Sequence, residues 1–273
     1  MSTSPETGRP AADFDRTTAV EAIGGGAYRG SIDPGWFAPP GPNGGFIAAL
    51  ILRAIRAEVS DGDRLPRSLT LHYLRPPGAG DVEIDVSIER SGRSATTCSA
   101  TMSQDGDATA LALCVLSVDM EAVLDWEPDP PQAPRPADVP ELELGEGAPP
   151  IFERLETRPI FGPLPFSSGE EALSGGWLKL RGDGELSPEL IALYADAWWP
   201  AAFSRLDRLA AAPTLELTIH FRARPRPDER YALVRFVSEA SIDGLFDEGG
   251  EVWSEGGRLL AQSRQLALLR PLK

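Results

Sequence analysis

The chain has 273 residues, 42% of them hydrophobic, enough for one large domain or two of ordinary size with a substantial core. Its formal net charge of -15 argues against nucleic acid, which needs a basic footprint, and against an anionic membrane surface. No stretch approaches the roughly 20 apolar residues of a membrane helix, and residues 1–10 are polar, without the apolar core of a secretory signal.

In chain order, residues 1–12 read as a disordered tail. Asn43 can cap a helix, and Gly44-Gly45 permits close backbone approach at its start. Residues 46–52 are apolar on all sides, with Arg53, Arg56 and Glu58 only near the end, so this helix is expected to be buried. A strand, Leu69-Thr70-Leu71-His72-Tyr73, follows. Val82, Ile84, Val86 and Ile88 then alternate with Asp81, Glu83, Asp85 and Ser87, the period-two pattern of a strand with one wet face. Residues 93–102 and 108–118 flank Asp105-Gly106, a hairpin signal.

Residues 125–150 hold eight prolines and seven acidic residues against one arginine. Proline at that density fits neither a sheet ladder nor a helix interior, so the segment reads as an extended linker. Beyond it, Ser187-Pro188 is a helix cap followed by proline at the first helical position, opening an apolar run over residues 190–203 that reads as a second helix with Pro200 inside it. Leu217-Thr218-Ile219-His220-Phe221 then repeats the earlier strand 148 positions later, and Gly256-Gly257 marks a second hairpin. The same order of helix, strands and hairpin in both halves points to duplication. A buried helix wrapped by an antiparallel sheet, present twice, is an α+β design, with halves at 13–124 and 151–273 joined by the 125–150 linker.

Asn43-Gly44-Gly45 before a buried helix, then LTLHYLRP from Leu69 to Pro76, then the hairpin, resembles the first half of bacterial type II acyl-CoA thioesterases. The resemblance spans roughly residues 20–120 and 150–270 and implies a double hot-dog fold. It implies hydrolysis of acyl-CoA, with an acyl carrier protein as a conceivable alternative carrier, without metal or cofactor, in a homo-oligomer. It also implies a site in the second half where an Asp, a Thr or Ser and a Gln orient the attacking water; matched segment by segment, these fall on Asp196, Thr214 and Gln265. Gly44, Gly45 and Phe46 (a position where the family often has Gln) and Trp198 are expected to line the substrate. Arg222 and Arg224, with Arg226 and Arg230, are candidates to receive the phosphates of the nucleotide end, against a solvated loop, which is slightly favoured.

Read on their own, these residues leave alternatives open. Asp196 sits among Leu193, Tyr194, Ala195, Ala197, Trp198 and Trp199, where an ionised carboxylate needs a partner or a purpose; desolvation would raise its pKa as a general base requires, unless it lies on a wet helix face. Alternation sets Thr214 on the opposite strand face from Leu217, Ile219 and Phe221, as a water-binding hydroxyl or an ordinary strand threonine. Gln265 shares a face with Ala261, Ser263 and Ala267, small neighbours that leave room for a ligand, although a solvated glutamine is the commoner case. Shifted by 148, Ala48 and Pro66 stand opposite Asp196 and Thr214; the Gln265 position is matched with the apolar run 111–116, so one site per chain is expected.

The only histidines, His72 and His220, are equivalent by the repeat, which favours a structural role over a catalytic one. Cys98 and Cys114 lie nearly opposite across the hairpin without a His or Asp partner, so a nucleophilic cysteine is not expected; reduced thiols in the cytoplasm are the simplest reading. Two rival functions remain: a hot-dog dehydratase or hydratase, which would use a histidine beside a carboxylate, and an acyl-thioester-binding protein without catalysis.

Overall fold

A computed structural model describes residues 10–182 and 184–272. The first half contains α1 (Pro10–Thr17), β1 (Glu21–Gly24), β2 (Ala27–Ile32), the short pair β3 (Phe37–Ala38) and β4 (Gly41–Pro42), α2 (Gly44–Val59), β5 (Leu65–Tyr73), β6 (Gly80–Ser91), β7 (Ala95–Gln104) and β8 (Asp107–Ser117). The second contains β9 (Leu155–Phe161), β10 (Leu173–Leu180), α3 (Pro188–Tyr194), β11 (Ala210–Ala211), β12 (Thr214–Phe221), β13 (Ala232–Val237), β14 (Ser241–Ile242), β15 (Leu245–Ser254), β16 (Leu259–Leu268) and β17 (Arg270–Pro271). No helix among the described residues is long and apolar enough to cross a membrane.

One 13-stranded sheet runs through both halves in the order β1-β2-β6-β7-β8-β5-β12-β16-β15-β13-β10-β9, with β14 against β15. Read from its middle, the order is the same in both directions. The halves meet where β5 and β12 pair antiparallel with Thr70 opposite Thr218, their hydroxyls 3.0 Å apart and 148 residues apart in sequence. That separation is the repeat offset itself, so a local two-fold axis passes between these threonines. The expected α+β double hot-dog is thus built as a two-fold object within one chain.

Helix α2 is the buried helix of the first half. Asn43 caps it by accepting a hydrogen bond from the Phe46 N–H (3.1 Å), and Phe46, Ile47, Leu50, Ile51, Leu52 and Ile55 are at most 3% exposed. Burying each such side chain contributes about 1.5–3 kcal/mol. The two glycines at its start let it abut the end of α3. A Cβ on Gly45 would fall 2.5 Å from the Leu193 carbonyl oxygen, and one on Gly44 would fall 2.9 Å from Asp196 Oδ2.

Three expectations change here. The second helix is short: α3 starts as expected, with Ser187 as cap and Pro188 at its first position, but ends at Tyr194. Pro200 lies outside it and opens a 3₁₀ turn, Ala201–Arg205. Proline disfavours helical backbone in the residue before it and lacks the donor that a continuing helix needs, so Asp196 stands just past the helix end. Helix α1 begins at Pro10, inside the segment expected to be a disordered tail; residues 1–9 of that segment lie outside the described residues. Residues 125–150, free of strand as their prolines require, are fastened to the second half. Val139 packs with Trp177, Leu233, Trp253 and Leu259, Trp177 Nε1 donates to the Pro134 carbonyl (2.8 Å), and the Leu142 N–H donates to the Thr157 carbonyl (2.8 Å).

Candidate active site

The start of α2 is where Asp196 finds its partners. Asn43, besides capping, donates from Nδ2 to the Asp196 carbonyl oxygen (2.7 Å) and to its Oδ2 (3.1 Å). The Gly45 N–H donates to the same Oδ2 (2.9 Å). Tyr73, from β5, donates its hydroxyl to the Gly44 carbonyl (2.8 Å) and so fixes the turn that presents these donors. The positive end of a 16-residue helix also favours an anion here. Burial nevertheless dominates: it pushes the Asp196 carboxyl up to about 6, while the donors from Gly45, Gly44 and Asn43 pull it back. Asp196 itself stays half-buried, on the wall of a cleft.

Thr214 reaches that cleft through a bulge. Thr214 pairs with Ala267 and Glu216 with Leu266, so Leu215 is an extra residue on β12. Simple alternation, which set Thr214 on the opposite face from Leu217, is overturned: the bulge brings Thr214 onto the inward face. Its hydroxyl donates to Gln265 Oε1 (3.0 Å). Gln265, on β16, is 6% exposed, and its Nε2 donates to Glu248 Oε1 (2.6 Å). Glu248, directly opposite on β15, also accepts the Ala201 N–H through Oε2. Burial pushes the Glu248 carboxyl up to about 8, against the pull of the Ala201 and Gln265 donors and with a smaller push from the charge of Asp196. A mostly protonated carboxyl can occupy this dry position at neutral pH and hold the Gln265 amide in one orientation.

The cleft, about 330 Å³, brings Asp196, Thr214 and Gln265 together, with Gly44, Tyr73 and Trp198 also on its walls. The Trp198 and Trp199 rings lie 4.5 Å apart and form an apolar side. Arg75 is the arginine on its lining.

Other candidate residues are elsewhere. Phe46 is fully buried and stacks on Trp36 (5.4 Å, 11° between planes), so it belongs to the core and not to the cleft. Its place in the first helical turn turns it inward behind the glycines. Arg222 and Arg224 follow the far end of β12, away from Thr214, and line a different cleft; their distance follows from the length of the strand. His72 and His220 are exposed, on the face of β5 and β12 that points away from the buried residues Leu71 and Leu217. The backbone N–H groups at the start of α2 are engaged by Asp196, which removes them as donors for a substrate oxyanion.

The residues that sequence reasoning missed are Asn43 as a partner of Asp196, Tyr73, Glu248 and Arg75. Asn43 is visible in sequence as a cap and Tyr73 as the end of the repeated strand. Glu248 sits in Asp247-Glu248-Gly249-Gly250, which reads as an exposed turn, and only the register of β15 against β16 reveals it.

Comparison with known proteins identifies the family and the fold. A family model described as the acyl-CoA thioesterase C-terminal domain matches residues 127–269, and one described as the acyl-CoA thioesterase N-terminal domain matches residues 32–117. An uncharacterised protein of Mycobacterium tuberculosis is 25% identical, the match covering 89% of this chain and 90% of the relative. Among solved structures, a hot-dog protein of unknown function from Alicyclobacillus acidocaldarius has a TM-score of 0.85 at 27% identity, covering 96% of this chain and 99% of its own. A thioesterase II candidate from Thermobifida fusca has a TM-score of 0.83 at 28% identity, covering 94% and 97%.

Proposed function

The chain belongs to the acyl-CoA thioesterase family, and from that premise we propose that it hydrolyses an acyl-CoA to the free acid and coenzyme A at the Asp196 cleft. The observation that carries this reading is a carboxylate raised to about 6 on the wall of a cleft shared with the Thr214–Gln265 pair. At neutral pH such a group is mostly ionised yet basic enough to take a proton from water. Two donors converge on Oδ2, which leaves Oδ1 as the acceptor for that water. Thr214 and Gln265 supply the polar contacts that hold it on the opposite side.

In the reaction, the water oxygen bonds to the thioester carbonyl carbon as Asp196 takes its proton. The tetrahedral intermediate then expels the sulfur, and the proton passes to the departing thiolate, so the carboxylate is regenerated. The tryptophan side of the cleft gives the acyl group an apolar wall. The exposed positions of His72 and His220 count against the dehydratase reading.

The test is thiol release from a series of acyl-CoA substrates by the wild-type chain and by Asp196→Asn. Release by the first and near-complete loss in the folded second is the expected result. Equal release by both would remove Asp196 as the base, and no release from any substrate would favour the binding-protein reading.

A further inference from the structure

The local two-fold predicts a second cleft, and the structure has one. Pro40, Asn43, Tyr73, Arg75 and Thr214 of the catalytic cleft map by the 148-residue offset onto Pro188, Ile191, Phe221, Ala223 and Pro66, which all line a cleft of about 310 Å³. The two clefts are nearly equal in size and lie at opposite ends of β12, roughly 23 Å apart at the rise of a strand. Their linings differ in kind. The groups proposed for hydrolysis are absent from the second, where Ala48 and Pro66 stand at the positions of Asp196 and Thr214. In their place are five arginines: Arg56, Arg67, Arg222, Arg224 and Arg226.

The charges around this cleft are only partly balanced. Arg56 is paired with Glu189, and Glu185 lies on the lining. Arg67 and Arg224 share one carboxylate, Asp119, at 2.7 and 3.0 Å. Arg222 engages the neutral amide of Gln262 (3.0 Å). With Arg230, which pairs with Glu185 (3.5 Å), and Glu229, which accepts the Arg226 backbone N–H (2.8 Å), six guanidinium groups face four carboxylates on a chain whose net charge is -15. Asp119 is 67% exposed on its side chain and follows the end of β8, so it can leave without opening the core. Its two oxygens already sit where two oxygens of a phosphate would bridge the same guanidinium forks.

We propose that this second cleft binds a small phosphate-bearing ligand, with Arg67, Arg224 and Arg226 holding the phosphate and Asp119 occupying its place in the free protein. Leu65, Leu186 and Phe221 supply an apolar floor beside it, suited to a group attached to the phosphate. The site is separate from the catalytic cleft and stands whether or not the thioesterase reading does.

The test is calorimetric titration of the full chain with pyrophosphate, which has no acyl, pantetheine or adenosine part. Binding that weakens about tenfold or more in the Arg224→Ala/Arg226→Ala double variant, tightens in Asp119→Asn, and is unchanged in Arg75→Ala is the expected result. Absence of pyrophosphate binding at millimolar concentration, or binding lost in Arg75→Ala but kept in the double variant, would overturn the proposal. Parallel titrations with ADP and coenzyme A identify the source: tighter binding than pyrophosphate, lost in the same double variant, assigns a nucleotide, and equal binding assigns free phosphate. Should the double variant fail to fold by circular dichroism, Asp119→Asn alone decides, since removing a competing carboxylate must tighten phosphate binding and an unchanged affinity refutes the displacement.

Discussion

The two clefts share a scaffold and differ in chemistry. In the second half, Leu217 pairs with Gln265 and Gln265 with Glu248; in the first, Leu69 pairs with Cys114 and Cys114 with Cys98. The Gln265–Glu248 pair therefore has Cys114–Cys98 as its counterpart, a polar couple on one side of the axis and two small, inert thiols on the other. Burial pushes both thiols up, the Cys114 thiol strongly, as expected of packing groups rather than nucleophiles. Even the bulge is duplicated: β5 has its irregularity between Pro66 and Ser68, at the place where β12 has its own between Thr214 and Glu216. The backbone device that aims Thr214 is present twice, and only one copy has a hydroxyl to aim. Fold and site are separable layers, and a duplicated fold can lose one layer without losing the other.

The most direct way to break this comparison is Asp196→Asn. Loss of a general base at constant volume should lower hydrolysis at least about 100-fold with the fold intact, read as thiol release beside a circular dichroism spectrum. Next come Thr214→Val and Gln265→Leu, each expected to cost tenfold or more, about 1.4 kcal/mol of transition-state stabilisation. The double variant should lose less than the product of the two effects, because both act on one hydrogen-bonded unit.

The pH dependence sharpens the contrast further. With Asp196 at about 6, kcat/KM should rise with pH through that value and level off above it; a profile flat between pH 5 and 7 would place the base elsewhere. Glu248 carries a stability signature. Its folded pKa of about 8 lies above the ordinary glutamate value of 4.5, so the folded state holds a proton that the unfolded state releases. Its contribution is full below about 4.5 and is lost as pH rises to about 8. Melting temperature should fall across that window, and Glu248→Gln should flatten the fall while lowering kcat several-fold by loosening Gln265. The smallest effect is expected from the silent half: Cys114→Ala should leave turnover within about twofold, since it changes packing alone.

The repeat, the cap of α2, the Asp105-Gly106 hairpin and the three second-half residues were legible because each rests on local spacing or on a match between segments. The aim of Thr214 was not, because a bulge adds one residue and reverses the alternation from which a face is read. The end of α3 was masked by an apolar run that continues past it, although Pro200 marked a limit. Arg222 and Arg224 were close to Thr214 in sequence, but a straight strand carries them to the other end of the sheet. Glu248 needed the pairing of β15 with β16, a long-range fact that no window of sequence contains.

The Thr70–Thr218 contact records how the halves once met. A residue on a two-fold axis faces its own copy, so its side chain must be complementary to itself. A charge cannot meet that demand, and a large apolar group would be left on the half-open face of the sheet. A hydroxyl can, because it both donates and accepts: Thr218 gives its proton to Glu216 Oε1 (2.6 Å) and receives that of Thr70 (3.0 Å). Within one chain the two halves need not be identical at off-axis positions, which leaves Asp196 and Ala48, Gln265 and Cys114, free to be different residues. At the axis itself the two sides still carry the same one.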